Sequence, residues 1–162
     1  MNRANGFGIY INNEGTQYVS EWVNDAQIGV GYELWTDKTY YQGCYYKGKR
    51  QGIGVYRWQD GTLYEGEWKD SAMHGYGIIF FVDERVYLGS WANNKMQGYG
   101  EFYWPDGRKY VGYYVNDKKE GFGIFYWKHP KKAYVGLWKD GKQEGIGYMV
   151  NNTSLMYGRW KE

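Results

Sequence analysis

The sequence predicts an all-β protein: an elongated, single-layer antiparallel sheet, or solenoid, of consecutive β-hairpins with no substantial helix. Three observations carry that prediction. Paired glycines recur at Gly6/Gly8, Gly29/Gly31, Gly52/Gly54, Gly75/Gly77, Gly98/Gly100, Gly121/Gly123 and Gly145/Gly147, at steps of 23, 23, 23, 23, 23 and 24 residues. A fixed period of this size marks a repeat architecture in which each copy is one supersecondary unit. Aromatic residues make up 22% of the chain, with 20 Tyr and 9 Trp, which favours strands and argues against both helix and disorder. Asp60-Gly61 and Asp106-Gly107, with Glu14-Gly15 as a weaker version, separate pairs of apolar runs. Asp-Gly in that setting marks a hairpin, because glycine supplies the positive φ the turn needs.

The elements follow in order. Each Gly-x-Gly leads into a short aromatic run, as in Val55-Tyr-Arg-Trp58, then a turn, then a Tyr-x-Gly-x-aromatic strand. That second strand reads Tyr41/Gly43/Tyr45, Tyr64/Gly66/Trp68, Tyr87/Gly89/Trp91, Tyr110/Gly112/Tyr114 and Tyr134/Gly136/Trp138. Ser20 stands for the glycine in the first copy and Met156 for the tyrosine in the last, so the terminal copies are imperfect. The sixth turn, Lys128-His-Pro-Lys-Lys132, is one residue longer than its siblings. A polar loop such as Lys69–His74 is expected to link one hairpin to the next. Residues 1–162 therefore form one continuous array of about seven hairpins, and at about 4.8 Å per strand it would span roughly 65 Å.

Strand alternation assigns faces. Residues i, i+2 and i+4 share a side, so Gly54, Tyr56 and Trp58 lie together with Tyr64, Gly66 and Trp68, whereas Glu65 and Glu67 point the other way into solvent. At the repeat period, Trp35, Trp58, Phe81, Trp104 and Trp127 fall into one column. Trp22, Tyr45, Trp68, Trp91, Tyr114, Trp138 and Trp160 form another.

The combination of Tyr-x-Gly-x-Trp, a six-residue interval, Gly-x-Gly and a hairpin-tip Asp-Gly resembles the MORN repeat across essentially the whole chain. That resemblance implies an extended sheet of hairpins. Family members serve as non-catalytic scaffolds in cytoskeletal, ciliary and membrane-junction proteins, radial-spoke head proteins among them. They also occur attached to lipid kinases and lysine methyltransferases, so the repeat by itself fixes no single role. Trp104-Pro-Asp-Gly-Arg-Lys-Tyr110 looks similar to the axonemal and protist members.

Chemistry is expected to be absent. An enzyme needs convergent acid, base or nucleophile groups, and the pattern supplies none. His74 and His129 fall in different repeats, with no metal-ligand spacing to each other or to Cys44. The Gly-x-Gly pairs lack the continuation and the βαβ setting of a dinucleotide loop. No cofactor and no metal are expected. A net charge of +2 is too small to suggest nucleic acid, although residues 81–162 carry 13 basic and 9 acidic groups. One cysteine, no apolar leader, and a longest apolar run of Ile78–Val82 point to a soluble cytoplasmic protein.

Two surfaces remain for function. The aromatic column Trp35, Trp58, Phe81, Trp104 and Trp127 is expected to anchor a partner protein of a large cytoskeletal or ciliary assembly, because Tyr and Trp are preferred interface anchors and a single sheet has no second layer. Arg108, Lys109, Lys128, Lys131 and Lys132, near the later hairpin tips, form the alternative: a basic edge for anionic phospholipid or an acidic partner. A third class, a secreted carbohydrate or choline binder, is disfavoured by the missing leader. Bare sheet edges are expected to be covered by a partner, a second copy, or sequence outside these 162 residues.

Overall fold

The computed structural model describes residues 3–161, and the chain divides into two compact units, Met1–Val82 and Asp83–Glu162. The first unit contains β1 (Gly6–Ile11), β2 (Gln17–Val23), β3 (Ala26–Leu34), β4 (Tyr40–Tyr46), β5 (Lys49–Arg57), β6 (Leu63–Lys69) and β7 (Ala72–Phe80). The second contains β8 (Val86–Ala92), β9 (Lys95–Tyr103), β10 (Lys109–Val115), β11 (Lys118–Trp127), β12 (Lys132–Lys139), β13 (Lys142–Asn151) and β14 (Leu155–Trp160). Within each unit every strand pairs antiparallel with the next, so each is an open sheet of hairpins, as the periodicity predicts. No helix occurs among the described residues.

Two kinds of chain reversal alternate. At the predicted tips an aspartate carboxylate accepts the N–H two residues on: Asp60 Oδ1 from Thr62 at 2.8 Å, and Asp37 and Asp106 from Thr39 and Arg108 in the same way. Gly61 and Gly107 take the positive φ, 96° and 83°, that completes these turns. The links between hairpins correct the sequence reading. Lys69–His74 is not a polar loop. Asp70 and Ser71 alone reverse the chain, both at positive φ, and β7 begins at Ala72. Asn24-Asp25, Asn93-Asn94 and Asn116-Asp117 do the same, because Asn and Asp tolerate the left-handed region that a two-residue hairpin needs.

The paired glycines have separate jobs. The first of each pair, such as Gly52 with φ 78° or Gly98 with φ 86°, takes a left-handed backbone where the register slips by a bulge, as between Gly43 and Tyr45. The second provides space. A Cβ on Gly54 would fall 2.5–2.6 Å from ring atoms of Tyr41. That ring lies across Gly43 and Gly54, and its hydroxyl donates to the Cys44 carbonyl at 3.1 Å, satisfying the bulged backbone. Tyr64, Tyr87, Tyr110 and Tyr134 repeat the contact, donating to Glu67, Ser90, Tyr113 and Leu137. All five tyrosines are completely buried.

The core is therefore one face of each sheet. Tyr41 meets Tyr45 and Trp68 edge-on at 5.3 and 5.2 Å, and Tyr110 meets Tyr114 and Trp138 at 5.3 and 5.2 Å. Each such pair adds about 1 kcal/mol beyond the burial of its rings. The opposite face departs from the expected band of solvated glutamates. The residue between the paired glycines points outward there and is apolar: Phe7, Val30, Ile53 and Tyr76 in the first unit, Tyr99, Phe122 and Ile146 in the second, all exposed. Glu67, read from sequence as solvated charge, accepts the Tyr76 N–H at 2.8 Å and so serves the bulge.

Candidate partner-binding face

Trp35, Trp58 and Trp104 sit at hairpin tips, each receiving or closing the turn through its backbone, and they remain partly exposed on the inner face. In the first unit Trp35 packs on Tyr56 at 5.8 Å and Tyr56 on Trp58 at 4.7 Å. In the second, Phe102, Trp104, Phe125 and Trp127 make a continuous run with centroid spacings of 4.4, 5.4 and 4.4 Å. Phe81 lies just past β7 and is likewise partly buried. Within each unit the tryptophans of the expected column thus lie on a ladder of rings, Trp35 and Trp58 about Tyr56 in the first and Trp104 and Trp127 about Phe125 in the second.

The five basic residues are not equivalent. Lys128, Lys131 and Lys132 line one cleft of about 420 Å³ with Tyr126, Trp127 and Val150, and the Lys132 ammonium sits 4.8 Å from the Trp127 ring centroid. Arg108 is bound by its own Asp106 at 2.7 Å while lying over Trp104 at 5.4 Å. Lys109 pairs with Glu101 at 2.7 Å and rests against Tyr103, a residue of the outer face. The structure brings three of the five together and commits the other two to carboxylates.

Sequence reading missed two cations inside the aromatic face. Arg50 lies 4.9–5.6 Å from the ring centroids of Trp35, Tyr41, Tyr56 and Trp68. Its guanidinium pairs with Glu33 at 2.9 Å, and the other Glu33 oxygen accepts the Tyr45 hydroxyl at 2.7 Å. Lys119 lies 4.9–5.3 Å from Trp104, Tyr110, Phe125 and Trp138. Burial among those rings, with a smaller contribution from Arg108, pulls its ammonium down from 10.5 to about 8. The available signal was a basic residue five positions after the second aromatic of Tyr-x-Gly-x-aromatic, where other repeats carry Gln or Met. Among the described residues no group of three His, Cys, Asp or Glu side chains is placed to hold a metal ion.

A family model described as MORN repeat matches residues 41–63, 64–84, 87–107, 110–128 and 134–152, well over half of the chain. A search of curated proteins gives no match. Among solved structures, the chain is similar to the TCP domain of SAS-4 (dCPAP) from Drosophila melanogaster, solved in complex with a proline-rich motif of Ana2 (dSTIL). Identity is 12% and the TM-score 0.52, over 95% of this chain and 90% of that one. The G-box domain of the microcephaly protein CPAP matches at 10% identity and a TM-score of 0.41, over 96% and 100%. At such identities the similarity is one of fold. The five matched repeats, in register with strands β4 to β13, carry the assignment: the chain belongs to the MORN-repeat family.

Proposed function

We propose that this protein is a non-catalytic scaffold whose inner aromatic face holds an extended segment of a partner protein in a cytoskeletal or ciliary assembly. The observation that supports it most is the run Phe102–Trp104–Phe125–Trp127, a ladder of ring faces with no second layer over it among the described residues. Flat aromatic surfaces of this kind suit extended peptides, proline-rich ones included. The SAS-4 domain of similar fold is itself solved with a proline-rich motif. The test is Trp104→Ala combined with Trp127→Ala. Affinity purification with the double variant is expected to lose at least about tenfold of the partner recovered by the wild type, with an unchanged far-UV spectrum. A variant that folds normally and recovers the full amount of partner contradicts the reading.

One observation favours a second reading, attachment to an anionic membrane surface. Lys128, Lys131 and Lys132 converge on one cleft, and each basic group near such a surface contributes about 1 kcal/mol. Replacing all three by Ser is expected to abolish flotation with phosphoinositide liposomes at low salt. No flotation of the wild type removes this reading.

A further inference from the structure

The two caged cations are the same device with one part different. Tyr45 and Arg50 are cross-strand partners in the first unit, and Tyr114 and Lys119 are cross-strand partners three repeats later in the second. The cage is retained position by position: Trp35, Tyr41, Tyr56 and Trp68 correspond to Trp104, Tyr110, Phe125 and Trp138. Glu33, which joins the hydroxyl to the cation in the first unit, corresponds to Phe102 in the second. Its carboxylate has no counterpart there. The Tyr114 hydroxyl is buried without a hydrogen-bond partner, and its residue is only 3% exposed. No described carboxylate lies within ion-pair distance of Lys119; the ion pairs of this region join Lys118 to Asp140 and Arg108 to Asp106.

The rest of the chain shows what usually fills this position. Where the second aromatic is Trp, its indole N–H reaches a glycine carbonyl across the strand, Trp68 to Gly54 at 3.1 Å and Trp138 to Gly123 at 3.2 Å. The facing residue is then uncharged: Gln27, Met73, Met96 or Gln143. Tyrosine is smaller, and it replaces Trp in this column only at Tyr45 and Tyr114, the two places where a cation faces it. In the first case Glu33 occupies the space gained. In the second a cleft of about 230 Å³ remains, lined by Met96, Phe102, Trp104, Tyr114 and Lys119. Asp117 at its rim is engaged by the Met96 N–H at 2.7 Å. A buried hydroxyl and a buried ammonium left without an anion are each costly, so a carboxylate supplied from outside would meet two unsatisfied groups at once.

We propose that the inner face of residues 83–162 takes an acidic segment of a partner protein, one Glu or Asp carboxylate of which sits between Lys119 and Tyr114 as Glu33 sits between Arg50 and Tyr45. The inference deepens the scaffold reading and rests on it. The occupant is a side-chain carboxylate and not a phosphorylated headgroup, because of the two lysines that line the cleft Lys118 is paired with Asp140 at 2.8 Å, which leaves the Lys119 ammonium and the Tyr114 hydroxyl among rings, whereas the cluster of three lysines lies at a separate cleft around Trp127. The excess of 13 basic over 9 acidic groups in this half of the chain is complementary to an acidic segment. The ladder of Trp104 and Trp127 provides the adjoining apolar surface on which the segment's backbone and neighbours lie.

The probe is a randomised peptide display library selected against the 162-residue protein. The enriched peptides are expected to share an Asp or Glu at one position. Changing that residue to Asn or Gln, or changing Lys119→Met, is expected to weaken the Kd of a synthetic representative at least about tenfold, the effect of losing one charge-assisted bond. Lys119→Met keeps the fold, because methionine already fills this position in two repeats, at Met73 and Met96. As a second variant, Phe102→Glu restores the carboxylate from within and is expected to exclude the peptide with Lys119 intact. Enriched peptides without a fixed acidic position, or binding unmoved by Lys119→Met, overturn the proposal. If such peptides still lose binding with the Trp104/Trp127 double variant, the scaffold reading stands and the carboxylate site alone fails. A selection that enriches nothing overturns both. Flotation with phosphoinositide liposomes that is lost in Lys119→Met, with peptide binding unaffected, assigns the site to a headgroup and also overturns the proposal.

Discussion

Gly54→Ala is expected to destabilise the protein by about 3 kcal/mol, near the upper end for overpacking a core, although the change adds one methyl group. The backbone at Gly54 is ordinary extended strand, so the cost is one of space. The new Cβ would fall 2.5–2.6 Å from ring atoms of Tyr41. That ring has nowhere to move. It is fully buried, its hydroxyl is held by the Cys44 carbonyl at 3.1 Å, and Tyr45 and Trp68 abut it edge-on. Shifting the ring would also leave the bulged carbonyl unsatisfied, a further cost of about 1 kcal/mol or more. The control is Gly61→Ala at a hairpin tip. There the added Cβ meets open space but φ is 96°, so the cost is conformational only, about 1 kcal/mol. Urea unfolding midpoints of the two variants, compared at constant m-value, measure the difference.

Lys119→Met is expected to have the opposite sign, stabilising the free protein at pH 7 by about 2 kcal/mol. The native ammonium titrates near 8, against 10.5 for the unperturbed group, because burial among four rings opposes the charge. Between those values the unfolded chain holds a proton that the native protein has released, so native stability rises as pH rises through the window. Below pH 8 the whole penalty is present. A shift of this size corresponds to about 3 kcal/mol, reduced to about 2 by the water that still reaches the head group. The buried tyrosine hydroxyls, Tyr110 and Tyr114 among them, are pushed upward by burial and keep their protons while the unfolded chain loses them near 10, which lowers the stability of both proteins alike toward the top of the window. Wild type is therefore expected to gain stability relative to Lys119→Met between pH 8 and 10.5, the variant starting from a higher value at pH 7. Urea melts of both proteins at several pH values check the sign as well as the size. A variant that is less stable at neutral pH contradicts the assignment.

The fold was largely legible because each copy restates the same constraints. Tyr-x-Gly-x-Trp and Gly-x-Gly gave the strands, faces and tips, since only glycine opposite a ring lets a tyrosine lie on the backbone of a single sheet. The links were misread because Asp70-Ser71 and Asn93-Asn94 lack the glycine that advertises a two-residue turn. The outward apolar column was overlooked for a different reason. The residue between the paired glycines, such as Ile53 or Phe122, varies in type from copy to copy, and alternation sends it to the far side. Of the candidate site, the tryptophan column could be read from period and alternation alone. The caged cations could not. Alternation does set Arg50 on the side of Gly54 and Tyr56 and Lys119 on that of Gly123 and Phe125, but the bulge that pairs each with a tyrosine across the strand, and the four rings that then enclose it, are not visible in the sequence. The separation of Lys109 from the other basic residues has the same origin: strand alternation places it with Tyr103 and Glu101 on the far side.

The most direct measurement is an NMR titration of the 162-residue protein with the acidic peptide selected from the library, following the indole N–H signals and the Lys119 ε-ammonium. The account predicts that Trp104, Trp127 and Lys119 shift together along one binding curve, and that the backbone signals of the outward residues Tyr99 and Phe122 stay in place. Shifts confined to Tyr99, Phe122 and Ile146, with the Trp104, Trp127 and Lys119 signals unmoved, would place the partner on the opposite face and contradict it.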